Sequence, residues 1–249
     1  MPDIPAYLIT FESAVRPLVT AIALALIWIG AARMEAPTQS RFVTAGALSV
    51  SLIAWLAVAQ YFGAANAYFT SAETAVPTVL LGLITPLAVA ALVLWQSRSV
   101  ASLVSAMPLP WLVAAQVYRI GGGIFLVLMA DGRLPWQFAL PAGIGDVTTG
   151  VMAVVVAALL ALNANGARRA VYAWSLFGIA DLVLAVTMGA MTSPGRAHLL
   201  ALEAPNLLIS SYPLVMVPTF AVPLALMLHG IVLWRLSRQP ASTARLAVA

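Results

Sequence analysis

Long apolar stretches alternate with short polar breaks along the chain, and this pattern predicts seven transmembrane helices. A run of about 18 or more apolar residues is long enough to cross the hydrocarbon core of a bilayer as an α-helix. The breaks contain the Pro, Gly, Asn and charged residues that commonly end helices. The predicted spans are 14–32, 42–62, 76–95, 110–129, 136–162, 170–191 and 212–235. We therefore expect an all-α integral membrane protein, a single bundle of seven transmembrane helices with no soluble domain.

The composition agrees with a membrane protein and excludes several kinds of site. Of the 249 residues, 63% are hydrophobic and 8% are charged, whereas a soluble domain has about 25% charged residues. The alternating apolar and polar stretches of an outer-membrane barrel do not occur. The lack of Cys excludes disulfides, thiolate metal sites and iron–sulfur clusters. The lack of Lys excludes a retinal Schiff base, so the composition implies no cofactor.

The arginines are unevenly distributed between alternate breaks, and this predicts the orientation of the chain in the membrane. Eight arginines lie in the first, third and fifth breaks and the C-terminal tail, and three lie on the other side. Basic residues near helix ends accumulate on the cytoplasmic side, so we expect the N-terminus outside and the C-terminus in the cytoplasm. The positive net charge then requires no nucleic-acid partner. Abundant Ala and Arg without Lys suggest a GC-rich bacterial genome, and hence a bacterial inner membrane.

Three charged residues fall near the middle of predicted spans four, five and six, namely Arg119, Asp146 and Asp181. One charge at the centre of a bilayer costs at least ~2.5–3.5 kcal/mol, so all three should face the interior, where Arg119 can pair with one Asp or both. Gln116 lies one turn before Arg119, and Thr149 lies one turn after Asp146. The spacing therefore predicts a binding or ion-coupling site between helices four to seven.

Helices six and seven contain further candidate residues for this site. Trp174 shares a face of helix six with Asp181. His229 is predicted near the cytoplasmic end of helix seven, where the role of an interfacial polar residue is favoured over that of a proton acceptor or haem ligand. Prolines remove backbone hydrogen bonds and kink helices, which often lets such helices line cavities. Helix seven has three of them, Pro213, Pro218 and Pro223.

The intramembrane charges leave two principal interpretations open. One Arg and two Asp carry a formal surplus of one negative charge, which must be met by a proton, a cation, water or hydrogen bonds. We therefore favour a small transporter or channel-like protein whose ligand is an ion or small molecule. The alternative is a structural or accessory subunit, alone or in an oligomer or larger complex, whose ion pairs only fix helix packing. A haem-binding or other membrane enzyme is disfavoured by the two His, the lack of Cys and the absence of catalytic motifs.

Overall fold

The computed structural model describes residues 2–74 and 77–238, and these form seven long helices and no β-strand. All seven are long and apolar enough to cross a membrane, which confirms the predicted number of long apolar helices. The predicted orientation stays a prediction. Val76, the first residue of predicted span three, and Arg245 lie outside the described residues. The helices are α1 Ala6–Arg33, α2 Thr38–Ala64, α3 Thr78–Gln96, α4 Leu109–Ala130, α5 Trp136–Ala161, α6 Ala167–Thr192 and α7 Val217–Arg238.

Proline marks the start of most of these helices. Its ring fixes φ and it has no N–H, so it fits the beginning of a helix and obstructs continuation upstream. α6 instead follows Gly166, whose φ of 83° is readily adopted by glycine. The N-cap prolines of α1 to α5 are Pro5, Pro37, Pro77, Pro108 and Pro135.

α1 begins at Ala6, eight residues before the predicted start of the first span at residue 14. That boundary leaves Glu12 before the span and puts Arg16 close to its start, whereas the helix runs from Ala6 through both of them. Glu12 is buried, with 4% of its surface exposed. Both charges therefore belong to the helical bundle.

α7 begins at Val217, after the predicted start at residue 212. Pro213 thus lies before the helix. The first turn of α7, Val217–Ala221, is π-helical, and a regular α-helix follows to Arg238. Pro218 and Pro223 cannot donate a backbone hydrogen bond, which interrupts the regular pattern here. The later start brings His229 near the middle of α7.

A short helix that the hydropathy pattern does not reveal joins α3 to α4. This connecting helix, Arg98–Ala106, begins where the Ser97 side chain accepts a hydrogen bond from the Val100 N–H at 3.2 Å. Its buried Leu103 packs against α1 at Gly30, where an added Cβ would lie 2.9 Å from the Leu103 carbonyl oxygen. The connection therefore packs closely against α1.

The helices that carry the predicted site are packed around α5. It contacts α4 on one side and α6 on the other, while α7 packs against α3, α4 and α6. α1 packs against α2 and the middle of α4. Large apolar side chains, such as Val50 and Trp95, are exposed on the outer surface. An exterior of this kind suits lipid and not water.

The central part of α4, Ala115–Gly123, is wound as a 3₁₀ helix between two α-helical ends. Three residues per turn place side chains at positions i and i+3 directly above one another. Gln116, Arg119 and Gly122 therefore share one face. Gln116 and Arg119 are both buried. The 3₁₀ winding thus determines which side chains Arg119 can reach.

Candidate functional site

Arg119 binds both mid-helix aspartates, as the matched depths predict. Its Nε donates a hydrogen bond to Asp146 Oδ1 at 2.7 Å, and its Nη2 donates to Asp181 Oδ2. Its Nη1 lies 3.4 Å from the carbonyl oxygen of Gly178 and donates to it. The guanidinium thus joins α4 to α5 and α6, and the predicted proximity of the three charges is confirmed.

Two glycines make room for these ion pairs. An added Cβ at Gly122 would overlap the Asp146 side chain, and one at Gly145 would overlap the Asp181 carboxylate. Small residues at helix interfaces let backbones approach closely. Neither position can accept a side chain unless the carboxylate beside it moves. The glycines around the charges therefore serve close packing of the cluster.

His229 is a member of the cluster, so its predicted position near the helix end is wrong. The side chain is fully buried, and its Nε2 lies 3.3 Å from Arg119 Nη1. Because a guanidinium can only donate, Nε2 must accept, and a neutral imidazole then carries its proton on Nδ1. The ring packs against Gly178, where an added Cβ would collide with it. The start of α7 at Val217 explains the shift toward mid-depth.

The other predicted site residues, Gln116, Thr149 and Trp174, are buried beside the cluster. Trp174 Nε1 donates to the Thr149 carbonyl oxygen at 3.0 Å, and the Trp174 ring centroid lies 4.6 Å from that of His229. Gln116 Nε2 donates to the Ala225 carbonyl oxygen at 3.0 Å. These contacts tie α4 to α7 and α5 to α6. Their role in binding a ligand stays a prediction.

Several buried polar atoms near the cluster lack a hydrogen-bond partner within residues 2–74 and 77–238. Leaving such an atom unpaired costs about 1–3 kcal/mol. The helix directions place Gln116, Thr149 and Ser175 on the side of Arg119 that faces the C-terminal end of α7. A lone Ser in an apolar helix has no distinguishing pattern, so Ser175 is missed from the sequence. The atoms are Gln116 Oε1, Thr149 Oγ1, Ser175 Oγ and His229 Nδ1.

A cavity of about 60 Å³ lies on the opposite side of Arg119. Arg119 and Asp146 line it, but Asp181 does not. The Asp146 side chain keeps 15% of its exposure, compared with 6% for Asp181. The remaining lining is mostly apolar. Asp146 is therefore the carboxylate of the pair that faces open space.

Two charged residues of α1, Glu12 and Arg16, line the same cavity. The Glu12 carboxylate takes part in none of the salt bridges among the described residues. Arg16 is held by Tyr212: its Nη1 donates to the Tyr212 hydroxyl at 3.1 Å, and its Cζ lies 5.5 Å from the ring centroid. Their spacing of four residues, inside an apolar run that follows Pro5, is the sequence signal that reveals them.

The chemistry open to the cluster follows from its charges. One guanidinium and two carboxylates leave a formal surplus of one negative charge when the imidazole is neutral. Within the described ranges, no three His, Cys, Asp or Glu side chains lie close enough to hold a metal ion. The arrangement can hold a proton on Asp146, or bind a small cation against it.

The comparison with known families covers the helices that form the cluster. A family model described as a domain of unknown function, DUF8737, matches residues 74–237. This region includes Arg119, Asp146, Asp181 and His229, whereas Glu12 on α1 lies outside it. No curated protein and no solved structure matches the chain.

Proposed function

The chain belongs to the DUF8737 family, a domain of unknown function, and we propose from its own geometry that it is a small membrane transporter or channel-like protein. Its site is the cluster of Arg119, Asp146, Asp181 and His229, midway along α4 to α7. The ligand is a proton or a small cation held at Asp146.

The surplus carboxylate at the cavity is the observation that carries this proposal. Arg119 balances one carboxylate, and an unbalanced charge at mid-membrane depth is costly. Asp181 faces packed helices, whereas Asp146 lines the cavity. An unbalanced carboxylate beside open space is a suitable place for a positive charge to bind and leave again.

Polar groups on both sides of the cluster support passage along the bundle. The cavity lies on one side of Arg119, and the unpaired polar atoms of Gln116, Thr149 and Ser175 lie on the other. Chains of ionisable and polar groups of this kind form proton and ion pathways in membrane proteins. The cluster would then lie between the cavity on one side and these unpaired polar atoms on the other.

The orientation that we propose has the N-terminus outside and the C-terminus in the cytoplasm of a bacterial inner membrane. Helix order puts most of the arginines at one end of the bundle. Cytoplasmic enrichment of Arg supports this assignment. The cavity would then open toward the outer half of the membrane. The arginines at this end are Arg33, Arg41, Arg98, Arg168, Arg169, Arg235 and Arg238.

Cation flux into liposomes that contain the purified full-length protein tests the function. We expect protons or monovalent cations to move down an imposed gradient, as measured with ion-sensitive dyes sealed inside the vesicles. Asp146→Asn should abolish the flux, because the amide has no negative charge to balance a cation and cannot titrate. Asp131→Asn, which neutralises an exposed carboxylate after α4, should leave it unchanged. A folded wild-type protein that moves none of these cations would contradict the proposal.

A structural role is the second candidate, and the hydrogen bonds of Arg119 favour it. Its Nε, Nη1 and Nη2 all have partners, on Asp146, Gly178 and Asp181. Ion pairs shared by three helices would fix the packing of an accessory subunit. The two roles differ in one measurable respect: neutralising Asp146 should spare the stability of a transporter and damage that of a packing device.

A further inference from the structure

The cavity beside the cluster has a second carboxylate, contributed by another helix. Glu12 of α1 and Asp146 of α5 both line it, although they are far apart in sequence. Glu12 is only 4% exposed. A charged side chain this deeply buried normally has a partner, so its position at the cavity calls for an explanation.

Glu12 has no partner in the part of the chain that the structure describes. Glu12 forms none of the salt bridges there, and in particular none with Arg16, which lies one turn away. The Arg16 guanidinium instead contacts Tyr212, through a hydrogen bond and across the face of its ring. Glu12 is therefore a buried, unpaired carboxylate that borders open space.

The size and lining of the cavity limit what can occupy it. Binding sites for organic ligands measure roughly 300–1,000 Å³, whereas this cavity measures about 60 Å³, room for a few water molecules. A metal ion needs several oxygen or nitrogen ligands. Apart from Glu12, Asp146 and the Tyr118 hydroxyl, no side chain in the lining offers an oxygen, and most of the lining is apolar.

We propose that the cargo of this site is a proton, and that Glu12 is the outer carboxylate that passes it to Asp146 through water in the cavity. This inference rests on the function proposed above and names its cargo. In the transfer, the O–H bond of protonated Glu12 breaks and its proton enters the water chain. A proton from the other end of the chain forms an O–H bond with Asp146. Glu12 becomes charged and Asp146 becomes neutral, so the total charge is unchanged.

Charged and titratable groups from several helices border this path or contact the groups that do. Arg16 and Arg119 line the cavity beside the two carboxylates. Tyr118 lines the cavity but donates its hydroxyl to the Ala221 carbonyl oxygen at 3.2 Å. α7 presents only apolar side chains to the cavity itself. Beyond the cavity, Asp181, His229 and Tyr212 contact the two arginines.

Potential-driven proton uptake tests this proposal in liposomes that contain the full-length protein and an internal pH dye. Glu12→Gln should reduce uptake to the level of empty liposomes, because the amide keeps the shape of the carboxyl group but cannot release a proton. Glu12→Asp should restore part of the uptake. Glu203→Gln, at an exposed position between α6 and α7, is the matched control and should behave as wild type.

Infrared difference spectra between acid and alkaline pH give a measurement that does not depend on transport. Glu12→Gln should remove one protonated-carboxyl band, and its melting temperature should match that of wild type because Glu12 has no ion pair to lose. A large fall in melting temperature would overturn the inference by revealing a structural partner.

The remaining outcomes separate this inference from the function on which it rests. Proton uptake by Glu12→Gln at the wild-type rate would remove Glu12 from the path and leave the proposed function standing. Uptake of Na⁺ without protons, measured with a sodium dye, would overturn the cargo and likewise leave transport intact. Lack of flux of any cation through the folded wild-type protein would overturn both proposals.

Discussion

Asp146 and Asp181 bind the same guanidinium but lie in different surroundings. Asp146 lines the cavity and keeps 15% of its side-chain exposure, although its carboxylate also packs against Gly122. Asp181 packs against Gly145, with no room for an atom between them. After either carboxylate is neutralised, Arg119 still has one charged partner. The two substitutions therefore differ in what the new amide group meets, and not in charge balance.

Replacing these two residues by Asn should consequently have unequal effects on stability. In Asp146→Asn the amide nitrogen can donate to water, so we expect a melting temperature close to that of wild type. In Asp181→Asn the amide nitrogen lies in a packed interior, and an unsatisfied donor there costs about 1–3 kcal/mol. Thermal unfolding in detergent measures both, with the exposed Asp131→Asn as the reference. Severe and equal destabilisation by both substitutions would favour the structural role of the cluster.

The sequence pattern predicts the ion pairs of Arg119 because a charged side chain that faces lipid is costly. Charges at matched depth on neighbouring spans must face inward, and there they meet. It misses Glu12 and His229 for a different reason. Hydropathy locates the ends of a span only to within several residues, and an error of that size turns Glu12 into a loop residue and His229 into an interfacial one. What Glu12 and His229 contact depends on how the helices pack, which hydropathy and charge patterns do not reveal.

The irregular parts of α4 and α7 are the elements that shape the site. The 3₁₀ turns of α4 align Gln116 with Arg119. No residue type requires 3₁₀ winding, and glycine adopts many conformations, so the residue types alone do not predict it. The irregular start of α7 is more predictable, because Pro218 and Pro223 have no N–H.

Trp55 of α2 compensates for one of these prolines. Pro223 lies four residues after Thr219, so the Thr219 carbonyl lacks the N–H donor that a regular α-helix would provide. Trp55 Nε1 donates to this carbonyl oxygen at 3.1 Å. The Trp55 ring also packs against Phe220, with 4.8 Å between centroids. α2 thereby supplies a backbone partner that α7 cannot provide for itself.

Trp55→Phe should destabilise the protein by about 1–3 kcal/mol, because it keeps an aromatic ring and leaves a buried carbonyl without this donor. The loss should be smaller when Pro223→Ala is already present, since that substitution restores a backbone N–H that can donate to the Thr219 carbonyl. Melting temperatures of the two single variants and the double variant give the coupling. Trp95→Phe, at a position that is 83% exposed, is the control and should change little. An equal loss of stability in both backgrounds would show that Trp55 does not compensate for Pro223.

At the scale of the whole molecule, the corrected helix boundaries sharpen the charge asymmetry between the two ends of the bundle. Arg16 is the eleventh residue of α1 and contacts Tyr212, so we do not count it among the charges at the end of the bundle. Among residues 2–74 and 77–238, the end that we propose to be external then has only Arg133 and Arg196, against seven arginines at the other end. Positive charge near helix ends sets orientation, so the revised boundaries strengthen the predicted topology.

Reporter fusions test this orientation at three points. Fusions after Arg98 and after Arg169 should report the cytoplasm. Two long helices separate Arg98 from the proposed cytoplasmic end of α1, and four separate Arg169 from it, so both positions lie on the same side as that end. A fusion within residues 192–211 should report the outside, since one further helix separates it from Arg169. A reporter active only in the cytoplasm and one active only outside, placed at the same positions, control for expression and should give opposite signals. The reverse pattern at all three points would invert the bundle and place the Glu12 cavity in the cytoplasmic half, while reversal at one point would show that a helix beside it does not cross the membrane.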